Sequence, residues 1–359
     1  MKLVGMWVYF KENYPELRNI RGLHGNNSTY KRWCVPNILN AVCRRLFPRS
    51  QFLEHLYLAP LSIEGEKIHV FNGILISRSD WVSTFETSLP RSPLSLTNWQ
   101  LRMSLWMMAK RNCRAIIAIS ERALELQKKA LNSWLEDGII DEATHLVLNQ
   151  KMLLLPPPQP VLAQPRKRLE GQTLRIIFVG NLFFLKGGRE AFRACQKAVK
   201  DHGVSLNFKI ISKLESDSWF SQTGVEHEEE WKLILQKSPW VTLTSGVSNE
   251  EVLQEIRNSH VALFPTKRDS YGYFTLEAQA CGVPVISSDF GAQGEINSEE
   301  LGWVIPTSQI PDSEDDALVS DLVEKILASL DEDERFQKGL RANERIAQKH
   351  DYTAFHLLK

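Results

Sequence analysis

The stretch that most constrains what this chain can fold into is residues 261–296, VALFPTKRDSYGYFTLEAQACGVPVISSDFGAQGEI. Residues 261–264 are a short apolar run stopped by Pro265, which reads as a buried strand. A polar loop follows from Thr266 to Tyr273. A helix is expected from about Phe274 to Cys281, ending at Gly282, and Pro284 forbids its continuation. Residues 283–286 then read as the next buried strand. Strand, loop, helix and strand in succession form the unit of a parallel sheet, so this stretch commits the chain to an α/β fold.

Two carboxylates sit in that unit with seven residues between them: Asp269 in the loop and Glu277 in the expected first turn of the helix. The backbone amides of Tyr273, Phe274 and Thr275 are expected to lie unbonded at the helix start, where the peptide dipoles favour an anion. Gly272 would let the backbone approach a bulky ligand closely. A carboxylate such as Glu277 can accept two hydrogen bonds at once, which suits the vicinal diol of a ribose. Asp269, earlier in the loop, could reach the group beyond a diphosphate. The stretch thus reads as a pocket for a phosphorylated nucleotide. The same residues also fit an ordinary strand-to-helix loop, and spacing alone does not separate the two readings.

A second constellation precedes it. Residues 174–180, LRIIFVG, read as a strong buried strand running into Asn181 and then Lys186-Gly187-Gly188, with a helix expected from Arg189 to Lys200. A lysine before a glycine pair at a helix start places an ammonium and free amides together, and both suit phosphate. Residues 206–211 and 241–243 read as further strands. The loop from Thr244 through Gly246 leads to a helix from Glu250 to Asn258, with Ser248 or Asn249 as its N-cap. Helices are expected over 314–330 and 332–350.

These motifs resemble the nucleotide-sugar signature of retaining glycosyltransferases of the GT-B fold, above all glycosyltransferase family 4. That signature has two acidic residues separated by seven others, a Phe/Tyr-Gly after the first, and Glu-Ala-x-Ala-x-Gly-x-Pro-Val-Ile. Here those parts are Asp269, Tyr271-Gly272, and Glu277 through Ile286. The family's first acid is usually Glu, so Asp269 is one methylene shorter. Family members also show Phe-Val-Gly-Arg, four residues, then Lys-Gly, with both cations on the donor diphosphate. This chain has Gly180-Asn181 and Lys186-Gly187, so one cation is missing and Arg189 or Lys267 would stand in for it. The family's loop corresponding to Gly246 helps hold the base, mostly by backbone, and Gly302-Trp303-Val304-Ile305-Pro306 resembles another of its strands.

The resemblance implies two Rossmann-like domains with parallel sheets facing across a cleft. Residues 1–160 would form the acceptor-side domain, 161–172 a linker, 173–340 the nucleotide-sugar domain, and 341–359 a helix crossing back to the first domain. The implied reaction moves a glycosyl group from a nucleoside diphosphate sugar, UDP- or GDP-linked, to a hydroxyl of a glycan or lipid-linked acceptor, with retention. It calls for no metal and no further cofactor. Asp269, Lys186 and Glu86 would serve the chemistry; Glu277, Gly272, Tyr273, Phe274, Thr275, Asn181, Gly180 and Gly246 would hold the donor. Two rivals are a GT-B nucleotide-sugar epimerase and a non-catalytic nucleotide- or glycan-binding subunit.

The first half carries weaker signals. Residues 3–10 read as a strand, 18–33 as a loop whose Gly22-Leu23-His24-Gly25 could be a remnant of the family's glycine-rich loop, and 33–47 as a helix with Arg44, Arg45 and Arg49 near its end. Residues 68–76, IHVFNGILI, form one apolar run with a turn-like Asn72-Gly73. Residues 81–86 read as a strand ending at Glu86, where ligands of open α/β sheets sit; the alternative is a loop carboxylate paired with Arg91. Helices are expected over 98–112 and 121–134 and strands over 114–120 and 151–158, with Ser120 facing the cleft by the same resemblance. Residues 156–171, rich in Pro, Gln and basic residues, read as the linker.

Composition excludes several classes. A hydrophobic share of 43% and a charged share of 24% are those of a globular protein. No apolar run approaches the roughly 20 residues needed to span a bilayer, and no signal peptide is read, so a cytoplasmic location is expected, or one at the cytoplasmic face of a membrane. Five scattered cysteines without C-x-x-C spacing argue for a reducing compartment and against zinc. Residues 1–165 hold 20 Lys/Arg against 13 Asp/Glu, and residues 166–359 hold 23 against 30. A basic first half could face an anionic acceptor or a membrane, or be solvated surface charge. Asp331-Glu332-Asp333, the nearest thing to a metal-holding Asp-x-Asp, reads as a solvated turn. No nucleic-acid partner is implied.

Overall fold

The computed structural model describes residues 7–9, 56–58, 68–91, 93–165, 173–215, 225–307 and 315–350. The Gly22–Gly25 loop, the expected helix over 33–47 with Arg44, Arg45 and Arg49, and the basic residues 166–168 lie outside them. The chain divides into two compact units, the first ending at Pro158 and the second being Gln159–Asp351.

In the first unit the strands are β1 (Trp7–Tyr9), β2 (Leu56–Leu58), β3 (Ile68–Phe71), β4 (Ile74–Ile76), β5 (Trp81–Phe85), β6 (Cys113–Ala118) and β7 (Met152–Leu154). Five of them form a parallel sheet in the order β1-β3-β5-β6-β7, and β2 and β4 pair separately. The apolar run over 68–76 is therefore two strands in two sheets. Asn72, with φ 51°, turns the chain between them, a left-handed conformation that asparagine tolerates better than most residues. The helices are α1 (Asn98–Ala109), α2 (Glu121–Glu136) and α3 (Glu142–Lys151). Thr97 and Gln100 form a capping box at the start of α1. At its other end Lys151 Nζ donates to the carbonyls of Met108, Ala109 and Lys110 at 2.9, 2.9 and 2.6 Å, satisfying groups that have no partner within the helix. In α3 only Leu148 is buried, so the helix leaves no apolar stripe in the sequence. Ile68, Val70, Trp81, Phe85, Leu105 and Met108 lie at the heart of the core.

The second unit runs β8 (Leu174–Val179), α4 (Gly188–His202), β9 (Leu206–Ile211), α5 (Val225–Gln236), β10 (Val241–Thr244), α6 (Asn249–Arg257), β11 (Val261–Phe264), α7 (Tyr273–Ala280), β12 (Val285–Ser288), α8 (Gln293–Ile296), β13 (Trp303–Ile305), α9 (Asp315–Ala328) and α10 (Glu332–Lys349). Its six strands are all parallel, in the order β10-β9-β8-β11-β12-β13. The winding reverses between β8 and β11, so the loops leaving these neighbours diverge and open a crevice at the carboxyl ends of the strands. Helix α4 buries Ala191, Ala194, Cys195 and Ala198, a small-residue stripe that lets it lie close to the sheet. Helix α7 is buried at seven of its eight residues, and α10 packs on it.

One expectation changes here. No domain boundary falls at 340, because α10 is one continuous helix through Lys349 and belongs to the second unit. Asn343 Nδ2 ties it there, donating to the carbonyls of Ala163, Gln279 and Ala280 at 3.0, 3.3 and 3.2 Å. Any return to the first unit would rest on residues 351–359, outside the described ones. Asp331, Glu332 and Asp333 are exposed, as expected, and Asp331 is the N-cap of α10, accepting from the Glu334 amide at 2.9 Å. Among the described residues no helix is long and apolar enough to cross a membrane.

Candidate functional site

The turn from β8 into α4 is built on aromatic packing. Phe183 is fully buried and meets Phe178 and Phe184 edge-on at 5.7 and 5.3 Å between ring centres. Its ring lies against Gly188, where an added Cβ would stand 2.3 Å from it. Gly187 has φ +77° and lies against Pro265, where a Cβ would meet the carbonyl oxygen at 2.0 Å. The Gly-Gly pair therefore lets the first strand-to-helix turn press onto the loop leaving β11. The amides of Lys186, Gly187 and Gly188 donate to the oxygens of Leu182, Phe184 and Phe183 at 2.9, 3.2 and 2.8 Å. That corrects the expectation of free amides at this glycine pair, since the tight turn bonds them internally.

That contact brings together two residues 83 apart in sequence. Lys186 Nζ donates to Asp269 Oδ2 at 2.7 Å and to the Arg268 carbonyl at 3.2 Å. Both side chains keep a narrow solvent face, 20% and 15% exposed. The other Asp269 oxygen accepts from the Tyr271 amide at 3.2 Å, a local turn that shapes the loop. An ammonium and a carboxylate, picked out on separate motifs, thus stand in contact at the switch point of the sheet.

Beyond Asp269 the loop differs from expectation in three ways. Gly272, with φ +102°, caps α7 in a left-handed conformation, so the helix starts at Tyr273 and Glu277 falls in the second turn rather than the first. The Thr275 amide is not free: it closes the first turn onto the Gly272 carbonyl at 3.0 Å, and the Thr275 hydroxyl donates to Gln293 Oε1 at 2.7 Å. The space above Gly272 is filled by protein, since a Cβ there would lie 1.4 Å from Gln293 Nε2. Gln293, fully buried at the start of α8, also donates to the Tyr271 carbonyl at 2.9 Å. It clamps the loop, and the glycine accommodates the clamp. Phe274 packs edge-on against Phe264 at 5.5 Å, so its side chain belongs to the core. Burial and the nearby Glu295 push the Tyr271 phenol up, keeping it neutral. Glu277 is buried at 8% exposure, and its neighbour along the helix, Cys281, has its thiol pushed up to about 11, first by burial.

A residue the sequence reading passed over lies beside this pair. Glu190, in the first turn of α4, is fully buried. Its Oε1 accepts from Arg189 Nε and Arg189 NH2 at 2.9 and 2.8 Å and from Lys267 Nζ at 3.1 Å. Its Oε2 is buried without a hydrogen-bond partner. The two cations expected to replace the one missing at Asn181 are therefore gathered on one carboxylate. Lys186 reaches from the first loop to the fourth, and Lys267 reaches back from the fourth loop to the first helix. Glu190 stands on the buried stripe of α4, four residues before Ala194, and that apolar register was the sequence signal of its burial.

The remaining candidates lie farther off. Asn181 is exposed, and its carbonyl accepts from the Phe183 and Glu215 amides at 3.0 Å each. Gly180 lies against the Lys186 stem, its Cβ position 3.2 Å from Lys186 Cγ. Gly246 follows the edge strand β10, two strands from β8, with open space around it. Ser248 caps α6 in a capping box with Glu251. In the first unit Glu86 is 7% exposed just after β5; its amide donates to Asn72 Oδ1 at 3.1 Å, and Asn72 Nδ2 donates to Glu86 Oε2 at 3.3 Å. Arg91 approaches that oxygen at 3.9 Å. Ser120 is the N-cap of α2, accepting from the Ala123 amide at 3.0 Å, so its hydroxyl has a structural task. A small cavity of about 40 Å³, lined by Pro165, Arg257, Cys281 and Arg335 among others, lies at the other end of β11, away from Lys186 and Asp269.

Residues 163–341 match the family described as "Glycosyl transferases group 1". The second unit is a group 1 glycosyltransferase domain. This group 1 domain is matched by relatives that include a capsular polysaccharide biosynthesis glycosyltransferase, CapM, of Staphylococcus aureus, 27% identical over 145 residues, 40% of this chain and 36% of CapM. A D-inositol 3-phosphate glycosyltransferase of Acidothermus cellulolyticus is 27% identical over 117 residues, 32% of this chain and 26% of that protein. The chain thus spans only about a quarter to a third of these relatives' lengths. Among solved structures, Anabaena HepE in complex with UDP superposes with a TM-score of 0.62 at 10% identity, covering 99% of this chain and 98% of HepE. The pneumococcal O-GlcNAc transferase GtfA, in complex with UDP and GlcNAc, gives 0.58 at 15% identity over 88% and 57% of the two chains. The fold that carries the group 1 domain is GT-B, α/β with two parallel sheets.

Proposed function

We propose that this protein is a retaining glycosyltransferase that moves a sugar from a UDP- or GDP-sugar to an acceptor hydroxyl in polysaccharide or glycoconjugate synthesis. The observation that carries the reading is the Lys186–Asp269 pair at the β8/β11 switch point, on the family's two motifs and at the place where nucleotide ligands of such sheets sit. The donor diphosphate would draw the Lys186 ammonium from Asp269, exchanging one oxygen anion for another. Asp269 would then be released to orient the donor sugar and to stabilise the positive charge developing on its ring. Glu277 would hold the ribose, and Arg189 with Lys267 would supply the charge missing at Asn181.

In the reaction the bond from the anomeric carbon to the phosphate oxygen breaks. The acceptor oxygen bonds to the same face of that carbon, and its proton passes to the departing phosphate. The protein's contribution is electrostatic: cations fixed in advance where the leaving diphosphate gathers charge. No metal is required on this scheme. The relatives named for polysaccharide synthesis and the UDP complexes of HepE and GtfA support the choice of donor and product class.

Thermal unfolding with UDP, GDP and ADP, on the wild type and on Glu277→Ala, tests the reading. A nucleotide at about 100 times its dissociation constant stabilises by about 2.7 kcal/mol. Stabilisation by one nucleotide, lost in Glu277→Ala, is expected. No shift with any of the three would sink the proposal.

A further inference from the structure

The first unit carries a surface with no part in that chemistry. Eleven large apolar side chains are exposed among the described residues. Five of them, Ile76, Leu94, Trp99, Trp106 and Leu146, lie on α1, on the turn leading into it, or on β4 and α3, which pack against α1. Trp99 and Trp106 are seven residues apart, two helical turns, so their indoles share a face; they are 66% and 58% exposed. Leu94, in the 3-10 turn Pro93–Ser95 just before α1, is fully exposed.

Within the chain segment that carries α1 the charge is of one sign. From Thr87 to Ser120 there is no Asp or Glu, and there are five cations: Arg91, Arg102, Lys110, Arg111 and Arg114. Arg91 approaches Glu86, and Arg114 pairs with Asp80. Arg102, Lys110 and Arg111 are exposed and make no ion pair among the described residues. Arg102 lies between the indoles and donates to the Gly138 carbonyl at 2.7 Å, while Lys110 Nζ stands 3.4 Å over the Trp106 ring. Of the carboxylates beside this face, Asp141 caps α3 and Asp137 accepts from the Ser133 hydroxyl.

Exposed indoles set among unpaired cations suit one kind of partner. Protein interfaces favour tryptophan and arginine, but they are depleted in lysine and keep charges out of their apolar centres, whereas here Arg102 lies between the two indoles. Tryptophan prefers the boundary between lipid headgroups and acyl chains, and Lys and Arg beside it are attracted to anionic headgroups. We propose that α1 and the turn before it dock this protein on an anionic lipid surface. Leu94, Trp99 and Trp106 enter the headgroup boundary, while Arg102, Lys110 and Arg111 lie against the phosphates. The inference is independent of the glycosyl-transfer reading.

Sedimentation of the full chain with vesicles tests it. The vesicles are phosphatidylcholine alone, or phosphatidylcholine with about a third phosphatidylglycerol, at low and high salt. Binding to the anionic vesicles alone, weakened by salt, is expected. Trp99→Ala with Trp106→Ala should weaken it at least about tenfold, and each of Arg102→Gln, Lys110→Gln and Arg111→Gln by about fivefold. Because these side chains are exposed, the thermal midpoint should stay at the wild-type value and report that the variants fold. No binding to anionic vesicles, or binding unchanged in both sets of variants, overturns the proposal. So does a lipid-free, concentration-dependent dimer that the double tryptophan variant abolishes, which would assign the face to a second copy.

Discussion

The carboxyl edges of the two parallel sheets carry their charges differently. In the second unit two cationic reaches cross between the loops leaving β8 and β11, one to Asp269 and one to Glu190. In the first unit the described edge after β5 carries one buried carboxylate, Glu86, which exchanges two hydrogen bonds with Asn72 just after the neighbouring strand and is approached by Arg91. The strand order accounts for the contrast. The second sheet reverses its winding between β8 and β11, so the loops leaving these two strands flank one crevice and their side chains can reach across it. The five described strands of the first sheet run in chain order without a reversal, so each loop stands over its own strand. Paired charges mark the place where a highly charged ligand can exchange with a resident ion. A single carboxylate that exchanges hydrogen bonds with an asparagine marks a place where a side chain is aimed.

The sharpest way to break this comparison is to set Lys186→Met against Glu86→Gln. Lys186→Met should lower transfer about 10²–10³-fold, as for loss of one preorganised charge-stabilising donor, and abolish stabilisation by the nucleoside diphosphate. Glu86→Gln should leave nucleotide stabilisation at its wild-type size. If Glu86→Gln abolished it and Lys186→Met did not, the two edges would have exchanged roles. Next in size is Glu190→Gln, which removes the Glu190 charge from its contacts with Arg189 and Lys267. Those cations are only 29% and 30% exposed, but that access to water trims the penalty for a buried pair to about 2–3 kcal/mol, read from the denaturant midpoint at constant slope.

Gly272→Ala should cost about 2 kcal/mol, because the residue needs a positive φ and its Cβ position is taken by Gln293. Adding Gln293→Ala should return part of that loss, and a double-mutant cycle measures how much. A strictly additive cycle would mean that backbone conformation alone requires the glycine. The smallest effect is expected at Ser248→Ala, about 1 kcal/mol for the lost cap of α6, with nucleotide stabilisation unchanged. A loss of nucleotide binding in that variant would extend the site to the edge strand.

Much of the second unit was legible residue by residue. Several of its strands are continuous apolar runs, and those signals are local: β8, β9 and β11 fall within a residue of where the pattern puts them. The first unit was less legible: the turn-like Asn72-Gly73 in the run over 68–76 did not show that its two halves join different sheets, and α3 has almost no buried face. Asp269 and Lys186 were each visible on their own loops, as a carboxylate and an ammonium at strand-to-helix turns. That they touch was not visible, since nothing local relates residues 83 apart.

By itself, then, the sequence determined the alternation of strands and helices in the second unit and set one ammonium and one carboxylate on two of its strand-to-helix loops. Only the tertiary structure decided what those residues do to each other. It paired Lys186 with Asp269, turned the expected spare cations onto Glu190, and showed that Gly272 makes room for Gln293 rather than for a ligand. The reason is physical. Local patterns report backbone conformation and burial, which depend on near neighbours along the chain, whereas the charge state and reach of a side chain depend on which distant loop is folded against it.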